Sequence, residues 1–223
     1  MTNSQFSDRY VEFVSEQRIK EHAHSWRSAH GNPLSWKINV VDFLLNTFQK
    51  RFKKHFEIKL FKRSDSKDAP AYVRFDPIEL WIDENIWALA KAGSGYSAFV
   101  IAHEIGHLIF HSALPKGFSS DRSHQISYTE DGHSAEWQAN TFAGHFLLPS
   151  LLVEQFDNPE QIIECCSTWE EIAQSRFAEV HDKRNDLASV WASQQTCANC
   201  GNLGLVRAGT LSRCKICKSS YSD

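Results

Sequence analysis

The chain of 223 residues is 42 % hydrophobic and 23 % charged, with a formal net charge of −3 and Cys 6, Trp 7, Phe 15 and Met 1. These proportions suit a globular protein and exclude wholesale disorder, collagen and coiled coil. No stretch approaches the roughly 20 apolar residues that span a bilayer. The polar N-terminus lacks the apolar core of a secretory leader. The expectation is a cytoplasmic protein without a membrane partner.

Apolar residues at helical spacing (Phe6, Tyr10, Phe13, Val14) predict a first helix over about residues 4–24. Asn32-Pro33 interrupts the chain, and residues 37–53 suggest a second helix. Residues 56–61 alternate like a strand. Further short strands are expected at 71–75 and 79–83, either side of Pro77. The last of these either borders a cleft, where it pairs with an extended substrate, or lies in a core sheet. Gly93-Ser94-Gly95 precedes a strongly helical stretch, 96–112. A histidine-rich loop follows to about 134, and helices then dominate to about residue 193. The expected class is α+β, a helical body with a small antiparallel sheet.

Four cysteines crowd the last 27 residues as Cys197-x2-Cys200 and Cys214-x2-Cys217. Each tight C-x2-C turn aims two sulfurs at one point, and two such turns joined by a glycine-containing hairpin make a four-thiolate zinc ribbon. A tail this short cannot bury a core, so its folding energy must come from the metal. The chain thus divides into residues 1–192 and a structural-zinc module at 193–223. Cys165 and Cys166 are read as small helical residues rather than reactive thiols.

Within the 96–112 helix lies His103-Glu104-Ile105-Gly106-His107. Residues four apart share a helix face, so both imidazoles can grip one metal ion, with Glu104 beside it to accept a proton from water. A solvated charged turn is the bland alternative. The flanks Phe99, Val100, Ile101, Ile105, Leu108, Ile109 and Phe110 argue against it. They make the helix apolar nearly all round, hence buried, and buried His and Glu need partners. A catalytic zinc wants three protein ligands and an open position. Glu136 opens the next helical stretch and is the expected third ligand. Asn140, one turn later, can hydrogen-bond the outer nitrogen of a ligand histidine. His111, on the face of both histidines, is expected as a hydrogen-bonded support rather than a fourth ligand. An oxyanion donor is also needed, for which Tyr128, His124 and His133 are weak candidates.

The run from His103 to His111, followed by Glu136-x-x-Ala139-Asn140-x-Phe142-Ala143 and Leu147-Leu148-Pro149, resembles the ImmA/IrrE family of zinc metallopeptidases. The resemblance covers about residues 35–190 and omits the cysteine tail. It implies a zinc endopeptidase with one catalytic zinc on His103, His107 and Glu136, and Glu104 as base. Its implied substrate is a partner protein, a helix-turn-helix repressor, whose cleavage derepresses transcription in bacterial or phage stress and defence responses. The chain departs from the family pattern at Gln138, where a second acidic residue is usual.

Two rival readings remain. A zincin with a terminal ribbon also resembles the SprT-like proteases that act on DNA-bound proteins, where the third ligand would be His133. Peptide deformylase is set aside, because no cysteine lies near either motif. A non-catalytic DNA-binding regulator is the other reading. The tail carries Arg207, Arg213, Lys215 and Lys218 against Asp223, a net +3. Residues 50–63 hold seven cations against Glu57, interleaved with Phe52, Phe56 and Phe61. Those phenylalanines read as core more readily than as base-stacking platforms, and the cations as a solvated face. An inert scaffold has no need of Glu104. The combined expectation is a protease whose activity nucleic acid gates through the ribbon.

Overall fold

A computed structural model describes residues 9–64, 69–112, 131–192, 205–208, 211–214 and 220–222. The chain forms two compact units, the first running to Phe177 and the second beginning at Ala178. Their boundary falls inside a helix.

The first unit is mostly helical. Helix α1 spans Glu16–His30, and Ser15 caps it by accepting the Arg18 amide. The predicted first helix therefore starts late. Residues 10–14 are extended instead: Val11 N–H donates to the His133 carbonyl, Val14 N–H to the Gly132 carbonyl, and Tyr10 bridges Ser134. Their apolar spacing suits a helix, but these long-range partners outcompete the local pattern.

Residues 40–51 are helical as α2 (Val40–Asp42), a π-wound turn at Phe43–Phe48 and α3 (Gln49–Arg51). The π-turn buries Phe43, Leu44 and Phe48. Strands β1 (Glu57–Phe61), β2 (Ala71–Phe75) and β3 (Ile78–Asp83) form one sheet in the order β1-β3-β2. The pair β2–β3 is antiparallel, but β1 runs parallel to β3, so the sheet is mixed rather than antiparallel as expected. Strand β3 is its centre, with both edges occupied. It cannot take up an extended substrate, and the core-sheet alternative for 79–83 holds.

Helix α4 (Glu84–Lys91) is capped by Asp83, and α5 (Gly95–His111) by Ser94. Gly95 starts α5 where an added Cβ would lie 2.3 Å from the Thr168 carbonyl carbon, so only glycine fits against that backbone. Helices α6 (Ala135–Leu147), α7 (Ser150–Val153), α8 (Pro159–Cys166) and α9 (Glu170–Ala192) follow. Among the described residues no helix is long and apolar enough to cross a membrane.

The core joins the inner face of the sheet, α1, the 40–51 stretch, α5 and α6. Ile19, Phe43, Phe48, Leu80, Ile82, Ile101, Ile105, Phe142 and Phe146 are all fully buried. Phe43 packs on Phe146 at 4.5 Å between ring centroids, and Phe52 stacks on Phe48 at 4.9 Å. Phe52 and Phe56 are thus part of an aromatic core. Arg27 is buried within it, donating to the carbonyls of Pro33, Ser35, Phe146 and Leu147. Cys166 is buried too, and burial pushes its thiol up to about 11, as suits an inert thiol.

Helices α5 and α6 pack closely. A Cβ added at Gly106 would stand 3.0 Å from Ala139 Cα and 3.2 Å from its carbonyl oxygen. Two small residues therefore let the backbones nearly touch.

In the second unit, β4 (Leu205–Ala208), β5 (Leu211–Cys214) and β6 (Ser220–Ser222) form an antiparallel sheet in that order. The β4–β5 hairpin runs over residues 205–214 and reaches Cys214, four residues beyond the stretch that the sequence marked as a hairpin. Cys197, Cys200 and Cys217 lie outside the described residues.

The α5–α6 contact makes a direct prediction. Gly106→Val should lower stability by about 2 kcal/mol or more in urea unfolding, because the core must open to admit the branched side chain. Gly106→Ala should cost less, since alanine's helix propensity returns about 1 kcal/mol.

Candidate active site

Helix α5 presents His103 and His107 on one face, four residues apart, where α6 crosses. Ser134 caps α6 by accepting the Trp137 amide, which places Glu136 in its first turn. The crossing brings Glu136 over both imidazoles. His103 Nε2 lies 3.0 Å from His107 Nε2 and 3.4 Å from one Glu136 oxygen, and His107 Nε2 lies 3.5 Å from the other. All three residues offer one ligand atom within a mutual 4.8 Å.

These spacings test whether a metal fits. A tetrahedral zinc with bonds near 2.0–2.1 Å has ligand edges of about 3.3 Å, and the three observed edges bracket that value. The hydrogen bonds agree. His103 Nδ1 lies 2.8 Å from Asn140 Oδ1, an acceptor, so it carries the proton and leaves Nε2 its lone pair. Lone pairs converging with a carboxylate call for a cation between them. Side chains of His103 and His107 are 15 % and 14 % exposed, and that of Glu136 is 40 % exposed. The cluster therefore opens to solvent on the Glu136 side, as a site that keeps a free position requires.

Glu104 follows His103 on α5 and feels the charges of His103 and Glu136. It is only 7 % exposed and accepts a backbone hydrogen bond from Val73, in edge strand β2. Burial, reinforced by the Glu136 charge, pushes its carboxyl up to about 7, against the opposing pull of His103 and the Val73 amide. Burial also disfavours charge on His103, but without a metal the hydrogen bond to Glu136 and the charges of Glu104 and Glu136 outweigh it, so its pKa is raised, and a bound cation would take the place of the Nε2 proton. His107 is held well below the usual imidazole range by burial, then by the neighbouring His103, His111 and Arg9.

His111 is buried and touches His107, Nδ1 to Nδ1 at 2.9 Å. His133 lies elsewhere: its ring stacks on Tyr10 at 4.6 Å and its Nδ1 lies 3.1 Å from the Val11 carbonyl. Of the two candidates for third ligand, the fold brings Glu136 to the histidines. His124 and Tyr128 lie outside the described residues.

Two contacts escaped sequence reasoning. Val73 reaches Glu104 from a strand about thirty residues upstream in the chain, with no local signal. Gln138 meets His111, although its departure from the family pattern marked the position. Four of the seven cations at 50–63 have internal partners. Lys59 pairs with Glu79 and Glu57, Lys62 with Glu84 and Arg63 with Asp83, while Lys54 donates to the Ser112 carbonyl.

Residues 53–168, just over half the chain, match the family model Peptidase M78, described as the IrrE N-terminal-like domain. The chain belongs to this family of metallopeptidases, and the ImmA/IrrE resemblance read from its motifs stands. A solved structure described as a Mycobacterium tuberculosis transcriptional regulator superposes with a TM-score of 0.48 at 17 % identity. The superposition covers 72 % of this chain and 46 % of that one, so the chain spans about half the regulator's length. No curated protein matches.

The raised Glu104 carboxyl predicts a pH signature in the metal-free protein. A group whose pKa is higher folded than unfolded contributes stability below its unfolded value, here 4.5, and loses it as pH rises through the folded value near 7. Removing the charge should therefore stabilise at high pH only. Urea unfolding of E104Q should gain up to about 3 kcal/mol over the parent at pH 8, shrinking toward zero by pH 4 to 5.

Proposed function

We propose that the chain is a zinc-dependent endopeptidase that cleaves a partner protein. The convergence of His103, His107 and Glu136, with Glu104 on the same helix beside them, carries this reading. His103 and His107 would hold the ion through Nε2 and Glu136 through its carboxylate. Bound there, zinc polarises a peptide carbonyl and acidifies water.

The chain's own residues supply the rest. Asn140 holds His103 in the orientation and tautomer that expose Nε2. Glu104 is seated by the Val73 amide, next to His103 on α5. It takes a proton from the attacking water and returns it to the leaving amine.

The family supports a helix-turn-helix repressor as the substrate, in a bacterial or phage stress or defence response. Its cleavage would release transcription. The four cysteines support a second, structural zinc at Cys197, Cys200, Cys214 and Cys217, with β4 and β5 as the hairpin between them. The net positive tail supports nucleic acid as a regulator of cleavage, acting through the ribbon.

The test combines metal content with cleavage. The parent should bind two zinc ions per chain. Any of H103A, H107A or E136A should lower that to one, as should C197S paired with C200S, while H133A should keep both. E104Q should retain both ions and fold normally, yet cleave the repressor encoded beside its gene at least about 100-fold more slowly. Retention of the catalytic zinc by E136A and its loss in H133A would overturn the ligand assignment. Cleavage unaffected by E104Q would overturn the mechanism, and cleavage indifferent to added DNA would remove the regulatory role.

A further inference from the structure

His107 is joined to the protein interior by an unbroken hydrogen-bonded chain, and each link of that chain has a direction. Gln138 is 1 % exposed. Its Nε2 lies 2.8 Å from the Glu12 carbonyl and 2.9 Å from the Gly132 carbonyl. Both are backbone oxygens that only accept, so the amide nitrogen must face them and donate to both. Rotating the amide would set Oε1 against two carbonyl oxygens. Oε1 therefore faces His111 Nε2, at 3.0 Å. It too only accepts, so His111 carries its proton on Nε2. A neutral His111 then has a bare Nδ1, and the partner 2.9 Å away, His107 Nδ1, must supply the hydrogen. With its proton on Nδ1, His107 presents a lone pair at Nε2, the atom facing His103 and Glu136.

We propose that Gln138 is a positioning residue of the metal site: acting through His111, it fixes the proton of His107 on Nδ1 and so keeps Nε2 available as a ligand. This deepens the zinc-site reading and rests on it. The two ligand histidines are set by separate devices. Asn140 does for His103 directly what Gln138 does for His107 through one intermediate ring. Gln138 in turn is aimed by carbonyls from two segments, the extended stretch before α1 and the turn before α6. The ligand's tautomer is thus anchored in the packing of residues 10–14 against 132–134 rather than in α5 alone. Partners of this kind are typically worth about 10- to 100-fold in metal affinity.

The experiment uses the full chain labelled with ¹⁵N in its histidine rings, metal-free and zinc-loaded, and reads the tautomers by long-range ¹H–¹⁵N correlation. The parent should show His111 protonated at Nε2 and His107 protonated at Nδ1, in both states. Q138L should fold, as judged by circular dichroism. It should lose the single His111 tautomer and bind its catalytic zinc about 10- to 100-fold more weakly in chelator competition, with the second zinc unaffected. H111F should weaken the same site equally, and the double variant no further than either alone. A parent His111 protonated at Nδ1 would overturn the proposal without any variant. So would zinc affinity and tautomers unchanged in Q138L. A parent that binds no zinc at His103 would instead overturn the metal-site reading, an outcome separate from zinc bound normally with the wrong proton placement.

Discussion

The site depends on how closely α5 and α6 approach. Gly106 and Ala139 nearly meet, and that contact sets the distance at which the two helices exchange side chains. Residues flanking it on α5 are His103 and His107, and those flanking it on α6 are Glu136, Gln138 and Asn140. A bulkier pair would hold the helices apart. Asn140 would then no longer reach His103 at 2.8 Å, nor Glu136 the Nε2 atoms at about 3.4–3.5 Å. Small residues at the crossing are thus a functional constraint written in the core.

Placing two histidines and a glutamate on a helix that is otherwise apolar would be costly if their polar atoms went unpaired. Each has an assigned partner. Asn140 serves the outer nitrogen of His103, His111 that of His107, and the Val73 amide serves Glu104. The partners come from α6, from α5 itself and from edge strand β2, so the site ties three elements together. The same burial that raises the energetic stakes also acts on protonation. In the metal-free protein it pushes Glu104 up to about 7.

Much of this was legible in the sequence because it is local. The i, i+4 histidines, the adjacent glutamate and the apolar flanks all lie within one helix, whose periodicity shows directly. Glu136 and Asn140 were legible as a second helical pair four residues apart. What lay hidden depends on contacts far along the chain. Residues 10–14 carry helical spacing yet run extended, because the carbonyls of Gly132 and His133 offer backbone partners to Val14 and Val11. The mixed sheet was equally hidden. Three short alternating segments do not say which takes the centre, and β1 joins β3 in parallel on the side away from β2. Gln138 stood out only as a departure from a pattern. Its role emerged once Glu12, Gly132 and His111 were seen to surround it.

Anomalous X-ray diffraction from crystals of the zinc-loaded protein, recorded on either side of the zinc absorption edge, tests the central claim most directly. The account predicts an anomalous peak between α5 and α6, bonded to His103 Nε2, His107 Nε2 and a Glu136 oxygen, with one further position open to solvent. A zinc bonded to His133 in place of Glu136, or no anomalous peak at that crossing in protein that has bound zinc, would contradict it.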